Sequence, residues 1–426
     1  MLRLTICLLI ALWPAMAGAQ TFFTLKGHGG PIKGVAAGYG MVLTASFDNS
    51  VGLWREGAPF WLEGHEAAVN TIALISPTEA ITGGDDFAVI RWDLILGTPT
   101  IMGRHKGKVM ALAHHDGLTA SASWDGSVGL WSDGEPVFLK GHGGAVNTVA
   151  FSADGHTLYS GSADGEILVW DVASARQDRR LLNAGFGVNT LVLNEAEGWL
   201  AYGAVDGVTR VVDLDTGETL QDFSLERRPI LAMALSADGT TLATGDGHGY
   251  ISLIDVRAGH YIADLRATLR GPVWALAFSE NGENIHAGGL DAAMYSWPLS
   301  DLRSGEQMVQ GETPFLRGAE TQSNGQRQFD RKCSICHTLT VDSGRRAGPS
   351  LMNVFGRRAG SVAQYNYSET LLTSDIVWSD DTIDALFDQG PDVYTPGSKM
   401  PMQRITDPAD RADLIAYLRE FSRGEE

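Results

Sequence analysis

Hydrophobic and polar positions repeat along residues 21–298 with a period of about 40 residues. In the clearest repeats a Gly-His pair is followed by a polar triplet ending in Asp and then by Trp, as at His28, Asp48 and Trp54. Seven copies close at positions 54, 92, 131, 170, 212, 254 and 297, which lie 38 to 43 residues apart. This spacing predicts seven repeated structural units.

The pattern resembles the WD40 repeat over residues 21–298. The resemblance implies an all-β, seven-bladed propeller in which the recurring His, Ser/Thr, Asp and Trp of a blade form a buried hydrogen-bonded set. The Asp recurs six residues before the closing position, at Asp48, Asp86, Asp125, Asp164, Asp206 and Asp291. His248 stands there in the sixth copy, and copies five and six also lack the Trp and the Gly-His pair. We therefore expect incomplete polar sets in these two copies, and structural rather than metal-binding histidines elsewhere.

The two ends of the repeat region indicate how the ring closes. Residues 22–28 are similar to residues 60–65 and 137–142, which lead from one repeat into the next. No repeat precedes residues 22–28, and no such segment follows Trp297. We therefore expect the first strand to complete the seventh blade and remove an open sheet edge.

Two smaller features of the repeat region receive structural interpretations. His114 and His115 lie on a predicted strand, where neighbouring side chains point to opposite faces, so they are poorly placed to bind one metal. The pairs at 179–180 and 227–228 are both Arg-Arg, and we interpret them as solvated loop charges.

Residues 1–19 have the pattern of a signal peptide. Arg3 precedes an apolar run at 4–13, and the segment ends in the small-x-small pattern Ala17-Gly18-Ala19. The run is shorter than the ~20 residues that a spanning helix needs. We expect an exported, soluble, periplasmic protein with no membrane span after cleavage; an uncleaved anchor is the alternative.

Residues 333–337 carry the motif Cys-x-x-Cys-His, which is typical of covalent attachment of one haem c. On a helix, Cys333 and Cys336 share a face, so both thiols can reach one porphyrin edge. A redox dithiol would not need His337, and structural zinc usually takes four Cys or His ligands. The third cysteine, Cys7, lies in the signal peptide, so we expect no structural disulfide. Zinc and a redox dithiol remain the alternatives.

Iron bound by His337 needs a second axial ligand to carry electrons without reorganising. No other His follows His286, which leaves Met352, Met400 and Met402 as candidates. Met400 follows the turn sequence Pro-Gly-Ser-Lys at 396–399, so we expect it to be the ligand. Met352 is expected to lie in the core, and Met402 to pack near Met400.

Residues 325–421 resemble the mitochondrial-type class I cytochrome c family, a small all-α domain. The matching segments are 333–337, 348–351, 354–360, 365–368, 376–378, 396–400 and 413–418. The resemblance implies thioether bonds at Cys333 and Cys336, axial ligation by His337 and Met400, and a hydrogen bond from the His337 ring to the Pro349 carbonyl. It also implies that the haem propionates are held by Arg357, Tyr367, Trp378 and Ser398.

The same resemblance implies how the domain packs. A helix at 325–331 should run into Cys333, and the last helix, with Leu414, Tyr417 and Leu418, should cross it near Gly325 and Phe329. Family members often place a Tyr in the helix before the Met loop, whereas residues 384–387 read Asp-Ala-Leu-Phe. The predicted organisation is a signal peptide at 1–19, a propeller at 20–298, a linker at 299–322 and a cytochrome c domain at 323–426.

Charge is distributed unevenly over the 426 residues, whose net charge is −19. Residues 315–426 hold 13 basic and 16 acidic side chains, a net charge of −3, while residues 4–314 hold 18 and 35, a net charge of −17. Nothing indicates nucleic-acid binding, which would require a basic stripe. The resemblance implies that a basic rim at the haem edge docks acidic redox proteins, through Arg331, Lys332, Arg345, Arg346, Arg358 and Lys399; scattered solvated charge is the alternative.

These features predict a periplasmic electron-transfer protein in which the propeller is a docking platform for another protein. No nucleophile–base pair, metal cluster or phosphate loop stands out in the propeller, so we favour a carrier over an enzyme. One alternative is a multidomain oxidoreductase whose propeller holds a substrate site that feeds electrons to the haem. A second alternative is a haem sensor in which a ligand displaces Met400.

Overall fold

The computed structural model describes residues 22–225, 229–268, 271–303, 323–334, 337–340, 348–363, 365, 367–396, 398, 400 and 404–423. Outside these residues lie the predicted signal peptide, most of the predicted linker, and Arg227, Arg228, Cys336, Arg345, Arg346, Lys399 and Met402.

The described strands form seven antiparallel sheets of four strands each, which we number blades 1 to 7. The first described strand is β1 (Phe23–Lys26). Blades 1 to 3 contain β2 (Ile32–Gly38), β3 (Met41–Ser46), β4 (Ser50–Arg55) and β5 (Ala58–Glu63); β6 (Val69–Ser76), β7 (Glu79–Gly84), β8 (Ala88–Asp93) and β9 (Thr98–Arg104); and β10 (Val109–His115), β11 (Leu118–Ser123), β12 (Ser127–Trp131) and β13 (Val137–Lys140).

Blades 4 to 6 contain β14 (Val146–Phe151), β15 (Thr157–Ser162), β16 (Glu166–Asp171) and β17 (Arg176–Asn183); β18 (Val188–Asn194), β19 (Trp199–Ala204), β20 (Thr209–Asp213) and β21 (Thr219–Asp222); and β22 (Ile230–Leu235), β23 (Thr241–Asp246), β24 (Tyr250–Asp255) and β25 (His260–Arg266). A 3-10 turn (Glu195–Glu197) separates β18 from β19. Blade 7 contains β26 (Val273–Phe278), β27 (Asn284–Gly289) and β28 (Ala293–Pro298), together with β1.

The propeller core lies between the faces of neighbouring blades. Leu43 and Leu53 of blade 1, for example, pack in one buried cluster with Ile90 and Trp92 of blade 2. Burying a side chain of this size stabilises the fold by roughly 1.5–3 kcal/mol. Because each blade shares its core with the next, an open ring would expose the faces at its two ends.

The first strand closes the ring. β1 pairs antiparallel with β28, so that Phe23 lies opposite Ser296 and Leu25 opposite Met294. Leu25 and Met294 also pack with Trp54 of blade 1 in one buried cluster. This confirms the prediction that the N-terminal strand completes the seventh blade.

Blade 1 contains the predicted polar set. The Nδ1 atom of His28 lies 2.9 Å from Asp48 Oδ2, and its Nε2 atom lies 2.7 Å from Thr44 Oγ1. Trp54 Nε1 donates to the same Oγ1 atom at 2.8 Å. Equivalent sets join His65, Thr82, Asp86 and Trp92; His105, Ser121, Asp125 and Trp131; and His142, Ser160, Asp164 and Trp170.

The last blade departs from this set for a local reason. In blades 1 to 4 the Trp donates to a Ser or Thr ten residues earlier, whereas Ala287 stands ten residues before Trp297. Trp297 Nε1 is consequently buried with no hydrogen-bond partner among the described residues. In the same blade His286 Nδ1 lies 3.1 Å from Ser296 Oγ.

Two further interpretations can be compared with the strands. His114 lies 2.9 Å from Thr119 through its Nδ1 atom, while His115 is 3.6 Å from Asp116, so each histidine has its own partner. Arg179 and Arg180 lie within β17 rather than in a loop. They donate to the Leu214 carbonyl and the Glu166 carboxylate, so their assignment as loop charges was wrong.

The propeller continues beyond Pro298. Residues assigned to the start of the linker form α1 (Leu299–Arg303), whose Leu302 is buried in the cluster shared by blades 6 and 7. The remainder of the predicted linker, residues 304–322, lies outside the described residues. In the described part of the chain, no helix combines the length and apolar character needed to cross a membrane.

The C-terminal domain is small and helical. Its described helices are α2 (Asn324–Lys332), α3 (Glu369–Leu372), α4 (Asp380–Gln389), α5 (Pro391–Tyr394) and α6 (Pro408–Phe421). Gly325 lies so close to the Asp413 carbonyl that a Cβ atom would collide with it, and the rings of Phe329 and Tyr417 are 5.7 Å apart. The predicted crossing of the first and last helices is therefore present.

The buried sets make a stability prediction. Replacing Ser160 with Ala leaves His142 Nε2 and Trp170 Nε1 without their shared partner, and should destabilise the protein by about 1–3 kcal/mol in urea unfolding. Ser160→Thr keeps the hydroxyl, as Thr44 and Thr82 do in blades 1 and 2, and should retain most of the stability. Equal stability of the Ala and Thr variants would contradict a role for the hydroxyl.

A second prediction concerns pH. Burial lowers the pKa of His286 from 6.5 to about 4. The His286 side chain takes up a proton near pH 6.5 in the unfolded chain, but only near pH 4 in the folded chain. The free energy of unfolding should therefore fall as pH drops from 6.5 to 4, and this group should contribute about 3 kcal/mol of the loss. His286→Gln should remove that part of the slope in unfolding followed by Trp fluorescence, whereas exchange of the exposed His260 for Gln should not. An unchanged slope in the first variant would contradict the assignment.

Candidate haem site

The motif at 333–337 begins at the C-terminal end of the first helix of the C-terminal domain. Ser323 caps α2 by accepting a hydrogen bond from Gln326 N, and Cys333 is the C-terminal cap residue. The backbone N–H of Cys333 donates to Phe329 O, and that of His337 donates to Cys333 O, both at 2.8 Å. The Cys333 side chain is buried, whereas Cys336 lies outside the described residues. The hydrogen bond between His337 N and Cys333 O therefore keeps His337 close to the C-terminal end of α2.

One hydrogen bond orients the His337 ring. Its Nδ1 atom lies 2.7 Å from the carbonyl oxygen of Pro349. Because a carbonyl can only accept, Nδ1 carries the proton and Nε2 presents its lone pair. This is the arrangement in which a histidine binds a metal through Nε2. The hydrogen bond predicted from the resemblance is thus present.

Gly348 leaves room for this ring. A Cβ atom at position 348 would lie only 2.6 Å from His337 Nδ1 and closer still to Cε1. Real Cβ atoms do not approach other atoms so closely, so the imidazole could not keep its place beside a larger residue. From the sequence, Gly348 could be assigned only to the segment 348–351 that matches the cytochrome c family, and no role was predicted for it. The one signal for its role is a glycine directly before the proline whose carbonyl accepts the ring proton.

Cys333 and Met400 meet the same apolar cluster. Cys333 is buried with Phe329, Leu386 and Leu414, and Met400 is a half-buried side chain packed against this cluster. The cluster also contains Ile383, Phe387, Ile405, Ile415 and Leu418, with Leu339, Leu351, Phe355, Trp378, Tyr394 and Tyr417 at its border. The Cys333 thiol and the Met400 thioether are thus both brought to one water-poor region.

The chain that follows Met400 is tied to α4. Ile405 N donates to Phe387 O at 2.9 Å, and the buried Arg411 donates to Ile405 O at 2.8 Å. Arg411 Nε also donates to Asp384 Oδ1 at 2.7 Å. Sequence reasoning missed Arg411, because a charged residue in an amphipathic helix gives no signal that it is turned inward. Its contacts fix one end of the segment that carries Met400.

Two of the residues predicted to hold propionates have partners within the protein. Arg357 donates through its guanidinium to Met352 O at 2.6 Å and Ser350 O at 2.8 Å. These bonds brace the turn that follows Pro349, and burial lowers the pKa of Arg357. Ser398 Oγ accepts a hydrogen bond from Thr395 Oγ1 at 3.1 Å.

The other two predicted propionate residues are positioned by backbone pairing and burial. Trp378 exchanges backbone hydrogen bonds with Gly356 and Arg357, at 2.8 and 2.9 Å. Burial raises the pKa of Tyr367, whose ring lies 4.7 Å from that of Tyr365. Contact of these four side chains with haem propionates stays a prediction.

The donor set suits a haem better than zinc. In the part of the chain that the structure describes, no three His, Cys, Asp or Glu side chains converge on a point where a metal could sit. An imidazole nitrogen and a thioether beside a large apolar cluster are the axial groups of low-spin electron-transfer haems. The described residues therefore fit the haem predicted from the motif.

The predicted basic rim is described only in part. Lys332 Nζ donates to Arg404 O at 3.3 Å, and Arg358 donates to Ser374 O and Leu372 O at 2.9 and 3.2 Å. The side chains of Arg331, Arg345, Arg346 and Lys399 lie outside the described residues. Docking of a redox partner at this rim stays a prediction.

Comparisons with known proteins agree with both domains. The cytochrome c family model matches residues 322–422, and the family model "WD domain, G-beta repeat" matches residues 98–132 and 135–171. A cytochrome c of Arabidopsis thaliana is 41% identical over 99 residues, which are 23% of this chain and 88% of that protein. A cytochrome c homolog of Rickettsia felis is 33% identical over 159 residues, 37% of this chain and 89% of that protein.

The propeller also has a structural relative. The WD40 β-propeller domain of Doa1 superimposes with a TM-score of 0.60 and 21% identity, covering 64% of this chain and 94% of that domain. At this level of identity the likeness shows the fold alone. The predicted WD40 propeller followed by a small helical domain is confirmed.

The clearance beside His337 leads to a prediction for Gly348→Ala. The added methyl group should displace the imidazole from the Pro349 carbonyl, so the purified protein should hold less haem and show a weakened low-spin absorption spectrum. Gly356→Asn is a control, because a Cβ atom at Gly356 meets nothing within 4 Å and Asn tolerates its positive φ of 81°. A normal spectrum in the first variant would show that the clearance is not required.

Proposed function

Because this chain belongs to the cytochrome c family through its C-terminal domain, we propose that it is an exported one-electron carrier with a single haem c ligated by His337 and Met400. The observation that carries the proposal is the 2.7 Å hydrogen bond from His337 Nδ1 to Pro349 O, which leaves the lone pair on Nε2, the atom that would bind the iron. Export to the periplasm is supported by the signal-peptide pattern at 1–19 and by the attachment motif.

A bound haem supplies reversible one-electron chemistry. The protein contributes position and environment. Cys333 and Cys336 are the thiols that would anchor the group. The Pro349 carbonyl accepts the ring proton of His337, and the absence of a side chain at Gly348 leaves room for the ring. Met400 would supply the second ligand from the protein, and a haem held by both residues would support electron transfer rather than reaction with a substrate.

The apolar cluster has a second role in this proposal. Leu386, Phe387 and Leu414 are buried beside Cys333 and keep water away from it. Fixed neighbours and little water mean that few groups must reorient when the charge changes. The hydrogen bonds from Arg411 to Ile405 O and Asp384 also limit movement, because they fix the segment that follows Met400.

The propeller is proposed to dock a protein partner. The two cytochrome c relatives cover 23% and 37% of this chain, so their likeness does not show what the propeller binds. Support comes from the WD40 architecture, which presents loops and strand ends on a rigid closed scaffold. The alternative, a substrate site within the ring, has no specific observation in its favour among the described residues.

Replacement of Met400 tests the haem assignment. Met400→Ala should keep the covalently attached haem but give the absorption spectrum of a haem with an open axial site, together with a lower reduction potential. Met352→Ala is the matched control, since Met352 lies in the same domain and is expected to serve only in packing. Retention of the methionine-ligation band in Met400→Ala would contradict the proposal.

A further inference from the structure

Each blade of the propeller has a β-bulge at the same place in its inner strand. The register shifts lie between residues 32 and 34, 69 and 71, 109 and 111, 146 and 148, 188 and 190, 230 and 232, and 273 and 275. A bulge re-aims one side chain out of the regular alternation of the strand. The seven re-aimed positions are Lys33, Asn70, Met110, Asn147, Asn189, Leu231 and Trp274.

Three of these positions serve the ring itself. Asn70, Asn147 and Asn189 donate through Nδ2 to the carbonyl of the first residue in the next blade's inner strand, at 3.1, 2.9 and 2.8 Å. The acceptors are Val109 O, Val188 O and Ile230 O. An Asn at the bulge therefore links two blades by a hydrogen bond. A residue that cannot form this bond must have a different role at the same position.

Lys33 and Trp274 occupy the bulges of two adjacent blades and contact each other. Lys33 Nζ lies 4.7 Å from the centre of the Trp274 ring. Phe47, in the loop after β3, stacks on the same indole with ring centres 5.8 Å apart and an interplanar angle of 24°. All three side chains are half-buried, so part of each stays open to solvent.

A second cation–aromatic pair lies close by. Lys108 Nζ is 5.5 Å from the centre of the Trp124 ring and pairs with Asp85 Oδ2 at 2.5 Å. Trp124 is 49% exposed, although its Nε1 atom donates to Asn147 Oδ1 at 3.0 Å. An indole held in place at its polar end and open along its ring offers a rigid apolar surface.

The two pairs form one cluster. Asp85 and Lys108 are the charged groups that influence the pKa of Lys33, which burial lowers to about 8. We call Lys33, Phe47, Asp85, Lys108, Trp124 and Trp274 the bulge cluster. It draws on blades 1, 2, 3 and 7 and carries two ammonium groups against one carboxylate, although residues 4–314 have a net charge of −17.

We propose that the bulge cluster is the docking site for an acidic segment of a partner protein, whose carboxylates pair with Lys33 and Lys108 while an adjoining apolar side chain packs on Trp124 and Trp274. The proposal rests on the docking role proposed for the propeller and gives it a place and a partner chemistry. Charge complementarity argues for this occupant, since the cluster places two ammonium groups and one carboxylate beside two indole rings, on a ring that is otherwise acidic. A nucleic acid is disfavoured, because its backbone would require a basic stripe, whereas the cluster offers two lysines.

The partly desolvated Lys33 adds a pH signature. A carboxylate placed against the ammonium compensates for lost hydration, so binding should be strongest where Lys33 is charged. As pH rises through about 8, Lys33 loses its proton in the free protein and affinity should fall. Asp85 and Lys108, the charged groups facing Lys33, do not reverse this direction: Asp85 raises its pKa and Lys108 lowers it.

Selection from a random-peptide display library on the purified full-length holoprotein tests the proposal. The selected peptides should carry Asp or Glu beside an aromatic or aliphatic residue. A synthetic copy of the best peptide, measured by calorimetry, should bind Lys33→Met and Trp124→Ala about tenfold more weakly than wild type. Lys140→Met makes the same charge change at an exposed residue of β13, outside the bulge cluster, and should leave the affinity unchanged.

Selection of no peptide, selection of peptides without acidic residues, or full affinity in both variants would overturn the proposal. Binding of an oligo-dT strand that competes with the selected peptide would mark a nucleic-acid site and would overturn it as well. The haem spectrum of the same wild-type preparation tests the electron-transfer proposal separately, so failure of one does not imply failure of the other.

Discussion

A single hydrogen bond, from His337 Nδ1 to the Pro349 carbonyl, orders the C-terminal domain around its proposed function. It requires the ring to approach the backbone at Gly348 so closely that no side chain can stand there. It also requires the Pro349 carbonyl to stay in place, and Arg357 braces the turn that follows through Ser350 O and Met352 O. Because this hydrogen bond keeps the proton on Nδ1, Nε2 has the lone pair that a metal would need, and a ring held in this way loses little freedom on ligation.

The propeller solves a different physical problem with a repeated device. Its buried His, Ser/Thr, Asp and Trp sets satisfy polar groups inside blades 1 to 4, and pairing of β1 with β28 removes the last open edge. A scaffold closed in this way can vary single positions without losing its shape. The bulges show this freedom, since Asn70 ties two blades together while Lys33 and Trp274, at equivalent positions, meet each other instead.

The sequence predicted the features that depend on local chemistry. Trp and Asp at a fixed period reveal the blades because each set needs both residues, and two thiols followed by His337 reveal the haem site. Long-range packing was less accessible. Leu302 extends the propeller into the predicted linker, Arg179 lies on a strand, and Arg411 is turned inward, all because of contacts with distant segments. The bulge cluster could not be predicted either, because its residues come from four blades. The equivalent positions of the other blades carry different residues, so the repeat pattern gives no signal for it.

The central claim is that His337 and Met400 are the axial ligands of one haem. Iron K-edge X-ray absorption on the exported, purified protein tests it most directly. We predict one sulfur scatterer at thioether distance and one imidazole nitrogen, in addition to the porphyrin nitrogens. An iron without a sulfur neighbour, bound instead by two imidazoles or left with an open axial position, would contradict the account.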